Sequence, residues 1–476
     1  MNQPNRDTFT NKLGAIMAVM ASAVGLGSIW RFPYLLGEYG GGAFLIIYIA
    51  FMLMIGAPVM LSEFIVGRRG QSNVFRSFKN LSPKSYWYLV GIMGILAALT
   101  MLSFYSTVAG WAFQYIIISV QNIITQPENI NHTKVFTDFT SGIVLPLTWM
   151  FTFVALTAGV VVFGVQKGIE KYSKILMPIM FIVLITLVIR GLTLPGSLEG
   201  VKFLFYPDFS KIDTHSILAA LGQAAFSLSV GSGVMITYGS YIKKTENIVS
   251  MAFSVTLIDI VSATICAIAI FPALFAFNMS PEQGPGLMYV VYPAVFHEMT
   301  GGQILAPLFF FMLIVTALTS AVPLLEVATA TLIEEFKMKR RTATILSAIF
   351  PAFLGIFTTL AFGPFRNIKI KGLNLFDSSD FLVSNILLPL GILGVVIFLG
   401  WFYNREHIKD EITNQGTLSA KIFPYFLFLI KYFIPIAVLI VFIKGLGVEG
   451  FGLLEWLLDR HHEQPHITYP LNFKSF

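Results

Sequence analysis

Two stretches of the 476-residue chain place serines and glycines in the middle of otherwise apolar runs, Ser22-Ala-Val-Gly-Leu-Gly-Ser28 and Ser227-Leu-Ser-Val-Gly-Ser-Gly233. Each holds two glycines two residues apart. Glycine disfavours helix by about 1 kcal/mol relative to alanine, so the pairs predict local unwinding. Backbone unwound inside a membrane has free N–H and C=O groups that must line a cavity. The chemistry such segments offer is ligation rather than catalysis. Small residues also permit close helix packing, but two such segments at corresponding places favour unwinding. A third candidate is Asp259, the only ionisable residue in its long apolar run. A carboxylate inside a membrane costs at least about 2.5 kcal/mol and calls for a partner. The single cysteine, Cys266, excludes an intramolecular disulfide and a cysteine metal cluster. His215 and His297 are single and lie near loops, and no glycine loop with a lysine for phosphate is present. Neither catalysis nor direct ATP drive is expected, so the chain does not read as an enzyme.

These residues need elements to hold them in place, and composition says what kind. Hydrophobic residues make up 56% of the chain and charged residues 12%, against about 25% charge in soluble domains. Mean hydropathy is +0.77. Charge-free stretches of bilayer-crossing length recur throughout. We read eleven spans, near 12–36, 41–67, 87–123, 142–164, 168–191, 215–240, 246–277, 302–335, 341–361, 377–403 and 423–446. No polar segment is long enough for a soluble domain, so residues 1–476 form a single membrane domain. The start, Met1 to Thr10, is polar, and the apolar run after it lacks a signal-peptide cleavage site. The net charge of +6 comes from basic residues at span ends, which argues for a membrane partner and against nucleic acid. Lys and Arg favour one set of loops by roughly two to one. That set puts the amino terminus in the cytoplasm of a cell (plasma or inner) membrane and the carboxyl terminus outside. The two breaks fall in spans one and six, five spans apart. This predicts two five-span repeats of opposite topology, about 12–191 and 215–403, with an extra helix at 423–446 and a binding site between the broken helices.

The motifs around those breaks resemble the neurotransmitter:sodium symporter family. The matching residues are Gly25-Leu-Gly-Ser-Ile-Trp-Arg-Phe-Pro33, Glu38-Tyr-Gly-Gly-Gly-Ala-Phe44, Gly164-Val-Gln-Lys-Gly-Ile-Glu-Lys171, Phe205-Tyr-Pro-Asp-Phe209 and Gly222-Gln-Ala-Ala-Phe-Ser-Leu-Ser229. Gly284-Pro-Gly286 and Leu318-Thr-Ser320 continue the series, so the resemblance runs from about Arg6 to Lys444. Eleven spans resemble the family's bacterial branch. The resemblance implies an all-α polytopic fold with a five-plus-five inverted repeat, alternating access, and a central substrate site beside two sodium sites. Half-helix amino ends suit a substrate carboxylate, and unwound carbonyls suit sodium.

Carried over residue by residue, the pattern implies a second sodium site from the carbonyls of Ala21, Val24 and Thr316 with the hydroxyls of Thr319 and Ser320. The first site would use Ala23, Ser28 and Ser227, with Asp259 at or beside the place of the family's usual asparagine. Ser28 also departs from the family, which has asparagine there. Asp259 has three open roles: it binds sodium, it supplies the negative charge that chloride supplies in animal members (beside Tyr48, Gln223 and Ser227), or it is a protonated packing residue. In the second role, chloride would not be required. Substrate would meet the backbone of Ala23 to Gly27 and of Phe226 to Ser229. The Tyr105 hydroxyl would face the substrate carboxylate, Phe226 would act as a lid, and Met101, Ser232, Ser320 and Leu324 would line the side-chain pocket. Gly25 stands where monoamine carriers have aspartate, which implies a substrate that brings its own carboxylate. Ser232 leaves room for a large side chain. Arg31 with Asp380 resembles an outer gate, and Arg6 with Glu334, near Tyr241, an inner one. The expectation is sodium-coupled import of a neutral, apolar or aromatic L-amino acid. Proton coupling on the same fold and a non-transporting amino-acid sensor are the rivals. Which amino acid, how many sodium ions and what oligomeric state are not legible.

Overall fold

The computed structural model describes residues 8–10, 12–125, 130–279 and 287–445. Among these, nine helices are long and apolar enough to cross a membrane. A bent pair, Leu13–Ala23 with Gly27–Glu38, turns by 45° at the first glycine pair and adds a tenth crossing. The predicted sixth span is also in two pieces, Thr214–Ser227 and Val234–Gly239, and neither alone has crossing length. Residues 228–233 between them are turn, with Ser229, Gly231 and Gly233 all at positive φ. Both breaks therefore fall where paired glycines lift the penalty on non-helical backbone. Arg6, the Gly284–Gly286 motif and the carboxyl-terminal tail lie outside the described residues.

The third, seventh and eighth spans are the long ones expected, at 38, 29 and 35 residues. The eighth, Gly302–Phe336, has 83% of its most apolar window buried, whereas the last, Phe423–Ile443, has 22%. The eighth is thus an interior strut and the last a peripheral helix. It packs along the third span, Tyr88–Thr125, and the two flank the broken helices. Glycine allows the closest approach. A Cβ at Gly94 on the third span would stand 3.1 Å from the Gly233 nitrogen, so the third span abuts the second break through bare backbone.

Helix ends are set by local chemistry. Asp213 caps Thr214–Ser227, its carboxylate accepting from Ser216 N at 2.7 Å while Ser216 Oγ accepts from Asp213 N. Asn247 does the same for Ile248–Ala276 through Ser250 N at 2.9 Å. Such caps stabilise a helix by roughly 1 kcal/mol each. Several spans contain widened π-helical turns, including Gly27–Arg31 directly after the first break and Leu382–Leu387 on the tenth span. Such turns gather at functional sites, and the first carries both Ser28 and Arg31.

Candidate functional site

The geometry centres on Asp259, which the seventh span holds fully buried at the middle of the bundle. Its Oδ1 accepts from Ser28 Oγ at 2.5 Å. Its Oδ2 accepts from Ser227 Oγ at 2.7 Å and from Tyr48 Oη at 3.2 Å. One carboxylate thereby joins spans one, two, six and seven, and meets both broken helices at once. Ser28 Oγ and Ser227 Oγ also lie 2.8 Å apart. Each hydroxyl has a single proton. Two protons therefore serve their mutual contact and both Asp259 oxygens, and either hydroxyl can donate across that contact. Gln223 completes the group, its Nε2 donating to Gly27 O at 2.7 Å. Its Oε1 is buried and has no hydrogen-bond partner among the described residues.

The first break faces Tyr105 and Ser320. Leu26 N, freed by the unwinding, donates to Tyr105 Oη at 2.8 Å. A Cβ on Gly25 would overlap Ser320 Oγ and stand 2.8 Å from Tyr105 Oη. Ser320 Oγ lies beside that tyrosine without forming a well-aligned hydrogen bond. The helix Lys12–Ala23 ends where the chain turns away at Val24 and Gly25, and the last carbonyls of a helix have no partner farther along it; Ala21, Ala23 and Val24 lie at this end. Of the other groups expected there, the Thr316 carbonyl accepts from Thr319 Oγ1 at 2.9 Å, and Thr316 Oγ1 donates to Met312 O at 2.8 Å. Both hydroxyls therefore bond back to their own helix, and a cation that used Thr319 would take a lone pair rather than the proton.

Above the breaks, the Phe226 ring meets Gly27, where a Cβ would stand 3.0 Å from it. Arg31 Cζ stacks 4.5 Å from the centre of that ring. Arg31 Nη2 is 3.6 Å from Asp380 Oδ2, and Asp380 Oδ1 accepts from Ser384 Oγ at 2.9 Å. A partly exposed pair of this kind contributes about 0–1 kcal/mol, weak enough to be parted readily. Met101 and Leu324 are buried on the third and eighth spans. Ser232 is buried in the second break, its hydroxyl turned to Ser229 O at 2.6 Å, and Ser229 Oγ reaches Ser22 O at 3.4 Å.

At the opposite end, Glu334 accepts from Ser72 Oγ, Asn73 N and Asn73 Nδ2. Its expected partner, Arg6, lies outside the described residues. Tyr241 donates to Glu326 Oε1 at 2.7 Å, and Arg340 pairs with Glu326 Oε2 at 2.5 Å. Glu326 went unnoticed in the sequence, as did Glu63, whose Oε1 accepts from Gly231 N at 2.5 Å and so holds the second break. Both glutamates are fully buried inside spans. The signal that singled out Asp259, a carboxylate in an apolar run, was available for them too.

A bundle interrupted at spans one and six, with polar backbone and a carboxylate meeting at the interruptions, defines a secondary transporter built on inverted repeats. The sequence profile of the Sodium:neurotransmitter symporter family matches residues 6–140 and 138–450. The chain is 38% identical over 451 residues to the uncharacterised sodium-dependent transporter YhdH of Bacillus subtilis, covering 95% of this chain and 100% of that protein. It is 36% identical to an uncharacterised sodium-dependent transporter of Haemophilus influenzae, covering 94% and 99%. The crystal structure of MhsT in complex with L-phenylalanine superposes with a TM-score of 0.85 at 41% identity, covering 93% of this chain and 100% of that one. The chain belongs to the sodium:neurotransmitter symporter family. It is a sodium-dependent membrane transporter and not an enzyme.

Proposed function

We propose that the protein carries neutral, apolar or aromatic L-amino acids into the cell by alternating access, driven by sodium entry through two sites and without need of chloride. The observation that carries this reading is the space around Gly25. A side chain at that position would collide with Ser320 and crowd Tyr105, so the protein has no acid there to hold an amine. What faces that space is the Tyr105 hydroxyl, which accepts from Leu26 N and keeps its own proton to donate, beside the positive amino end of a half-helix, and the two suit a carboxylate. MhsT, with 41% identity, was crystallised with L-phenylalanine, an amino acid of the proposed class.

Sodium enters the reading through the cluster of oxygens at Ser28, Ser227 and Asp259. A cation held by those oxygens and Ala23 O would neutralise a carboxylate that is expensive in a membrane. The second ion would take the carbonyls of Ala21, Val24 and Thr316 with the hydroxyls of Thr319 and Ser320, all neutral oxygens suited to a hard monovalent cation. Tyr48, Ser227 and Ser28 already donate to Asp259, so the anion these donors require is part of the chain. Substrate would lie between the breaks, under Phe226 and against Met101, Ser232 and Leu324. The Arg31–Asp380 pair closes the site on one side, and Glu334, Tyr241 and their partners close it on the other. The excess of Lys and Arg in the loops on the Glu334 side supports a cytoplasmic position for that side.

The test is accumulation of labelled phenylalanine by purified protein in liposomes. An inward sodium gradient should drive it whether the anion is chloride or gluconate. Equal accumulation with potassium replacing sodium overturns the coupling. Ligand binding with no accumulation marks a sensor instead.

A further inference from the structure

Two of the widened π-helical turns pack against each other where spans ten and eleven meet. Phe398–Phe402 closes span ten, and Leu429–Phe433 lies in the first half of span eleven. Trp401 Nε1 donates to Lys431 O at 3.3 Å across the contact. Gly400 lets the helices close, since a Cβ there would stand 3.1 Å from Lys431 Cγ. The lysine stem therefore crosses bare backbone. Its ammonium sits 4.8 Å from the centre of the Trp401 ring, and Tyr432 meets the same indole edge-on, with ring centres 5.8 Å apart.

Lys431 lies inside an apolar span, and among the described residues no carboxylate pairs with it. A lysine in such a place carries its ammonium toward the membrane surface. Here the surface is close. The bond from Trp401 sets Lys431 level with the end of span ten, Leu375–Phe402. Trp401 is 56% exposed and Phe402 68%, and aromatic residues at a span end belong at the level of the headgroups. A charge without a counter-charge thus stands at headgroup depth, between two turns of a kind that gathers at functional sites. Spans eight and ten end on the same side, so the crevice lies on the Glu334 side of the bundle.

We propose that the crevice between spans ten and eleven holds the headgroup of an anionic phospholipid, such as phosphatidylglycerol, from the leaflet on the Glu334 side. The ring of Trp401 covers one side of the ammonium, and the N–H donors turned away from it meet the phosphate. A zwitterionic lipid brings its own cation to that phosphate and an anionic lipid does not, so the site favours the anionic one. Span eleven has 22% of its most apolar window buried, the smallest share among the crossing helices described. A lipid held across both turns fastens this helix to span ten.

The test incubates the purified full chain with equimolar phosphatidylglycerol and phosphatidylcholine and counts retained lipid by native mass spectrometry. The parent should retain phosphatidylglycerol in preference. Lys431→Gln should lower that preference about fivefold, the worth of one basic residue at an anionic surface, and Lys431→Arg should keep it. Lys431→Met, which keeps the stem on Gly400 and loses the charge, repeats the test should Lys431→Gln fail to fold. Lys421→Gln, at an exposed lysine just before span eleven, should leave the preference unchanged. In phosphatidylcholine nanodiscs, added phosphatidylglycerol should raise the unfolding midpoint of the parent and of Lys431→Arg but not of Lys431→Gln. The site is overturned if the parent retains both lipids equally or if loss of the Lys431 charge leaves the preference intact. It is equally overturned if Lys421→Gln lowers the preference as much, because the attraction is then that of any basic residue near the surface. None of these measurements needs sodium or substrate, so they stand apart from any failure of the coupling experiment.

Discussion

Gly25→Ala isolates the feature on which the substrate class depends. The added Cβ would overlap Ser320 Oγ and approach Tyr105 Oη to 2.8 Å. Ser320 and Tyr105 are both buried, 4% and 2% exposed, so neither can move far to make room. Adding a methyl group to a packed site costs about 1–3 kcal/mol. At about 1.4 kcal/mol per tenfold, amino-acid affinity should fall roughly 5- to 150-fold. Shortening the neighbour should return part of that loss. On a Ser320→Gly background the same Gly25→Ala change should cost markedly less, with a coupling energy of about 0.5–3 kcal/mol expected of side chains in contact. The assay is equilibrium binding of labelled phenylalanine in saturating sodium, with thermal stability measured in parallel. If Gly25→Ala binds within about twofold of the parent, or costs the same with and without the Ser320 hydroxymethyl group, the first break does not contact substrate as argued.

Three further outcomes follow from the same geometry. Ser232→Phe should reduce tryptophan affinity far more than alanine affinity, by about 1–3 kcal/mol of overpacking; an equal fall for both removes Ser232 from the pocket. Asp259→Ser should make sodium-dependent binding chloride-stimulated, because Tyr48, Ser28 and Ser227 keep their donors and lose their anion; equal binding in chloride and gluconate removes the charge-supplying role from Asp259. Glu411→Ala should strand the buried Arg68, whose Nε lies 2.6 Å from Glu411 Oε2, and cost about 3–5 kcal/mol; an unchanged thermal unfolding midpoint in detergent would contradict that.

The sequence displayed the breaks because glycine acts through the backbone. Gly25 and Gly27 mark the first bend, and Gly231 and Gly233 adopt the positive φ that the second one needs. Asp259 was legible because a lone charge in an apolar run is costly anywhere in the fold. Its partners are another matter. Ser28, Tyr48 and Ser227 lie 231, 211 and 32 residues away from it, and no local pattern encodes a contact at such separations. They were named only through resemblance. Span ends were legible to within a few residues because hydropathy changes sharply there, whereas the π-helical turns within spans leave no trace in hydropathy.

The buried glutamates show where reading charges one at a time falls short. Glu63 and Glu326 lie in apolar runs as Asp259 does, yet the three have different partners. Glu63 receives a backbone amide of the second break, Glu326 pairs with Arg340 and Tyr241, and Asp259 meets only hydroxyl donors. An amide partner fixes backbone, and an arginine partner neutralises charge within the protein. Hydroxyls do neither. They can turn to present a proton or a lone pair, so the Asp259 cluster can rearrange around a cation without moving backbone or parting an ion pair. That difference in donor chemistry, rather than burial, is why the proposal gives the travelling ion to Asp259 and not to Glu63 or Glu326.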